Sequence, residues 1–68
     1  MSMSVKSVRT DAGQVIAEFS FLEMISREIR ESIMDYCDEN RYRIVSLNIY
    51  DVGWRKEAIG VFEEVRRE

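Results

Sequence analysis

"WRKEAIGVFEEVRRE", residues 54–68, decides the fold, because its apolar residues satisfy two periods at once. Read as a helix, it gathers Trp54, Ala58, Val61, Phe62 and Val65 on one face and leaves Ile59 outside. Read as a strand, it aligns Ile59, Val61 and Val65, with Glu63 interrupting the row and Phe62 pointing the other way. Periodicity favours the helix. Against it, Gly60 costs up to about 1 kcal/mol in a helix interior. Arg55 and Lys56 would also sit at the positive end of the helix dipole. The helix gives the element order ββαβα; the strand would make it ββαββ.

Immediately upstream, "RYRIVSLNIYDVGWRK" (41–56) alternates. Val45, Leu47 and Ile49 fall on one side of a strand over 42–50, and Ile44, Ser46, Asn48 and Tyr50 on the other, the pattern of a half-buried strand. Before it, Leu22, Ile25, Ile29, Ile33 and Tyr36 recur at three- and four-residue spacing, which predicts an amphipathic helix over 21–39. Ser20 and Glu23 have the spacing of a capping box, with Phe19 and Met24 placed as a hydrophobic staple. Asn40 is a candidate left-handed C-cap.

The first twenty residues read as a hairpin. A short strand over 4–10 meets Asp11-Ala12-Gly13, a three-residue turn with glycine in the left-handed place. The second strand, over 14–21, puts Val15, Ala17, Phe19 and Phe21 on one face. The expected fold class is therefore α+β: one domain over 1–68, an antiparallel sheet with the helix packed on one face, and residues 1–3 disordered. No proline, internal repeat or composition break marks a linker.

With 68 residues, such a domain buries about 60% of the surface its unfolded chain exposes, so its core is marginal. Small domains commonly rely on disulfides, a metal or self-association. A single cysteine, Cys37, forms no internal bridge, and without histidine the usual zinc spacings are absent. Self-association is the staple left. The N-terminal "MSMSVKSVRT" has no apolar h-region, and no stretch approaches the roughly 20 apolar residues of a membrane span. The expected location is the reducing cytoplasm, with no membrane partner.

The absence of histidine removes the common nucleophile triads and the usual general base near neutral pH. The three glycines are scattered, so no phosphate-cradling loop exists. The expectation is a non-enzymatic chain with no cofactor and no metal. Cys37, among Asp35, Asp38 and Glu39, has surroundings that disfavour a reactive thiolate. The carboxylates Glu31, Asp35, Asp38 and Glu39 read as a solvated helix face, lacking the irregular loop that a calcium site uses.

Net charge is −3 but unevenly spread: residues 23–39 carry −4, whereas 41–56 carry +3. Within that basic window Arg41, Arg43, Arg55 and Lys56 could meet phosphates or an acidic partner, and Tyr42, Tyr50 and Trp54 could stack on bases. The same residue types are enriched in protein interfaces. The leading expectation is a protein-interaction or assembly module, a homo-oligomer or subunit of a larger assembly, associating through 44–54 with Ile44, Tyr50 and Trp54 as interface residues. A small nucleic-acid-associated regulator is the alternative, disfavoured by the acidic total charge.

Overall fold

A computed structural model describes residues 2–65 of the chain. Four strands and one helix follow one another as β1 (Ser2–Asp11), β2 (Gln14–Leu22), α1 (Ser26–Asn40), β3 (Tyr42–Val52) and β4 (Arg55–Glu64). The strands form one antiparallel sheet in the order β1-β2-β4-β3. The domain is α+β as expected, and its order is ββαββ.

Over residues 54–65 the last element corrects the helical reading of 54–66, whose final residue lies outside the described residues. Ala58, Gly60 and Phe62 alternate toward the core, opposite Phe19, Ala17 and Val15 of β2. Two small residues and one large one fit beneath the helix, an arrangement that a period-two pattern serves and a helix would scatter. Trp54, which lent the helical period its first residue, lies in the turn. That turn is two residues long, Gly53-Trp54, with φ of +63° at Gly53, which suits a type II′ hairpin.

The first hairpin is also tighter than predicted. Asp11 pairs with Gln14, leaving Ala12 and Gly13 as a two-residue loop, both at positive φ (52° and 80°), as a type I′ turn requires. At its other end β1 starts at Ser2, and Met3 packs against the core, so residues 2 and 3 of the segment expected to be disordered are paired, while Met1 lies outside the described residues.

The helix starts five residues later than the predicted 21. Ser20 lies inside β2, whose alternation continues until Phe21 faces Lys56 and Met3. Strand pairing thus overrides the local capping signal at Ser20 and Glu23. The working cap is Ile25, whose N–H donates to a Glu28 carboxylate oxygen at 3.0 Å. At the far end the left-handed residue is Arg41 (φ 58°, ψ 50°) instead of Asn40. The Asn40 side-chain amide donates to the Tyr36 carbonyl at 2.8 Å.

Ile29, Ile33 and Cys37 of α1 form one buried cluster with Val15, Ala17, Phe19, Phe21, Ala58 and Phe62. Phe19 meets the Tyr36 ring edge-on at 5.1 Å, and Tyr42 stacks on Phe62 at 5.7 Å. All the buried strand residues belong to β2 and β4. Geometry explains this: four strands about 4.8 Å apart make a layer wider than one helix of about 10 Å diameter. The helix covers the two central strands and leaves the outer two half-covered.

Candidate interaction site

Both outer strands carry a β-bulge, and the bulges differ in consequence. In β1 the register shifts between Val5 and Ser7, with Lys6 as the extra residue. In β3 it shifts between Ile44 and Ser46, with Val45 extra. The second bulge corrects the expected facing of β3. Ile44 pairs with Phe62 and therefore lies on the helix side with Leu47 and Ile49, while Val45 does not join that row. Strict alternation through 42–50 missed this, since a bulge inserts one residue and reverses the phase beyond it.

The two edges are chemically unlike. On β3, Ile44, Val45, Ile49 and Tyr50 are 39–47% exposed. On β1 the exposed large apolar residues are Val5 and Val8, set among Ser2, Ser4, Ser7, Arg9 and Thr10. A lysine in a bulge is a recognised way of discouraging a sheet edge from pairing, and a row of half-exposed apolar residues is the reverse.

The predicted interface residues do not share a face. Ile44 lies on the helix side near the start of β3. Tyr50, opposite Glu57, lies on the open side. Trp54 protrudes from the hairpin, 76% exposed, with the Arg55 guanidinium 5.8 Å from its ring centre. What they have in common is the β3 edge and its turn.

The basic window is likewise divided. Arg43 pairs with Glu63 and Arg55 with Glu57, both on the open side, whereas Lys56 reaches Asp51 on the helix side at 2.7 Å. Arg41 caps the helix and makes no ion pair among the described residues. Three of the four cations thus already have carboxylate partners.

At the centre of the open face Lys6 Nζ (3.2 Å), Arg55 Nε (3.1 Å) and the Tyr50 hydroxyl (3.4 Å) converge on the Glu57 carboxylate. Among the described residues Glu57 is the one buried charged side chain, at 7% exposure. The Lys6 ammonium holds its carboxyl below the ordinary carboxylate range; burial opposes this, and Arg55 adds to it. The cluster joins three strands, since Lys6 reaches from the β1 bulge past Ser20 of β2 to β4. Sequence reasoning singled out Arg55 and Tyr50 but not Lys6 or Glu57, which only the sheet order brings together. Through the Glu57 carboxylate the group ties β1, β3 and β4 together across the open face.

A shallow depression of about 290 Å³ is lined by Cys37, Asp38, Arg41, Tyr42 and Val65. Burial pushes the Cys37 thiol above its ordinary range and Asp38 adds to the effect, so the group is neutral at physiological pH. Among the described residues there is no cluster of metal-ligating side chains, and no helix is long and apolar enough to cross a membrane. The chain matches no family model, no curated protein sequence and no solved structure.

Proposed function

We propose that this chain is a non-enzymatic assembly module that self-associates through the β3 edge and its flanking residues. The observation that carries this reading is the contrast between the edges: β1 exposes two large apolar residues, Val5 and Val8, among serines, Arg9 and Thr10, with a lysine at its bulge, whereas β3 presents four, Ile44, Val45, Ile49 and Tyr50. Two further points support it. A domain this small gains from a second source of burial, and pairing of edge strands supplies main-chain hydrogen bonds as well as apolar area. The division of Arg43, Arg55 and Lys56 between two faces, each with a carboxylate partner, favours a protein partner over a phosphate backbone.

Light scattering after size-exclusion chromatography tests the proposal. The chain should elute as a dimer or larger, Ile49→Lys should shift it to monomer, and Val8→Lys on the other edge should leave it unchanged. A stable monomer at high micromolar concentration overturns the reading. So does binding to short oligonucleotides with a steep salt slope, the signature of phosphate contacts.

A further inference from the structure

We infer that two copies pair β3 against β3 in antiparallel register about a twofold axis at Leu47, joining their sheets into one of eight strands. This deepens the self-association proposed above and rests on it. A twofold interface must be complementary to itself, because each residue of the patch meets the symmetry mate of another. β3 meets that condition in this register.

With the axis at Leu47, Ser46 lies opposite the partner's Asn48. Passing over the bulged Val45, as the pairing with β4 already does, sets Ile44 opposite the partner's Ile49. Directly opposed residues of an antiparallel pair share a face, and Ile44, Leu47 and Ile49 all lie on the helix side. Two copies therefore make a continuous apolar row of six side chains beside the helices. Ile44 and Ile49, 41% and 39% exposed in one copy, are the residues a single helix is too narrow to cover.

Beyond the row, Arg43 on the open side meets the partner's Tyr50, a cation over an aromatic ring. Tyr42 on the helix side meets the partner's Asp51, a hydroxyl donor beside a carboxylate. No like charges face each other. Neighbouring registers are worse. An axis at Asn48 sets Asp51 against the partner's Ile44, and one at Ser46 places the two bulges next to each other, interrupting the ladder at its centre.

The test uses two full-length single variants, Ser46→Cys and Asn48→Cys, both at exposed positions, with Cys37 left in place because it is buried. They are mixed, oxidised, and mapped by peptide mass spectrometry. The mixed 46–48 disulfide should exceed either homodisulfide several-fold, and neither variant should lose its dimer in light scattering beforehand. A dominant 46–46 or 48–48 disulfide overturns the register while leaving self-association through β3 intact. Preferential crosslinking of Ile59→Cys, at the centre of the open face, replaces edge pairing with face packing and also overturns it. A monomer in light scattering removes both proposals together. Should one of the two unfold, nitroxide labels on the other and on Thr10→Cys serve instead: strong coupling between copies for the β3 label and none at 10 is expected, and the reverse overturns the inference.

Discussion

Gly60→Ala probes the packing beneath the helix. In an open strand this substitution should stabilise, because glycine loses more backbone entropy on folding and costs about 0.5–1 kcal/mol relative to alanine. Here a Cβ on residue 60 would stand 2.8 Å from Cε2 of Phe62 and closer still to Cζ. Carbon atoms prefer about 3.5–4.0 Å, so the ring must move. It has little room, with Phe19 and Tyr36 each at 6.3 Å and Tyr42 stacked at 5.7 Å between ring centres. Overpacking of this kind costs about 1–3 kcal/mol, and subtracting the entropic gain leaves a net loss of roughly 0.5–2 kcal/mol. For a domain of this size, 1 kcal/mol moves Tm by about 4–8 °C, so a fall on the order of 5–10 °C is expected. Circular dichroism at fixed protein concentration measures it, since Tm of a self-associating chain varies with concentration. In a Phe62→Leu background the cost of Gly60→Ala should largely disappear, a coupling between touching residues of the size double-mutant cycles detect. If Gly60→Ala is neutral or stabilising, or equally harmful in the Phe62→Leu background, the argument that the Phe62 ring occupies the space over residue 60 is refuted.

Ala12, at φ +52° in the first turn, occupies a place that suits Asn better than Ala; Ala12→Asn is expected to raise stability by about 0.5–1 kcal/mol in urea unfolding, since an L-residue pays roughly 1–2 kcal/mol in this region and Asn pays less. Glu28→Ala removes the acceptor of the Ile25 N–H and should cost about 0.5–1 kcal/mol by the same assay. Glu57 and Glu63 are both held below the ordinary carboxylate range, by Lys6 and Arg43 respectively, so each contributes stability that is present above the unfolded pKa and lost as pH falls through the folded value. Unfolding midpoints should therefore drop on acidification below about pH 4.5, and Glu57→Gln should flatten that slope; a slope unchanged by the substitution would contradict the assignment.

The parts of the fold legible in the sequence are those set by neighbours in the chain. The alternation of Val15, Ala17, Phe19 and Phe21 marks β2, and the spacing of Ile29 and Ile33 marks α1. What escaped sequence reasoning depends on contacts between distant segments. Ser20 and Glu23 carry a sound capping signal, yet Phe21 is held in the strand by Lys56 and Met3. The run Ala58-Ile59-Gly60-Val61-Phe62 looks helical until Phe19 and Ala17 stand opposite it. At the candidate site, β3 and its apolar composition could be read directly. Its position at an edge, the phase reversal at Val45 and the partnering of Arg43, Arg55 and Lys56 could not, because each is a property of the sheet.

The strand order has a kinetic consequence. β1 with β2 and β3 with β4 are local hairpins closed by two-residue loops, and β2 with β4 is the one long-range seam between them. Each half can form early, but neither has a core alone, since Phe19 and Phe62 lie on opposite sides of that seam. The slow event is the docking of two preformed ribbons, with α1 as the tether. Until they dock, β2 and β4 both present unpaired backbone next to Phe19, Phe21 and Phe62. One copy's second ribbon can then lie down on another copy's first, so exchange of hairpins between chains competes with correct closure at high concentration.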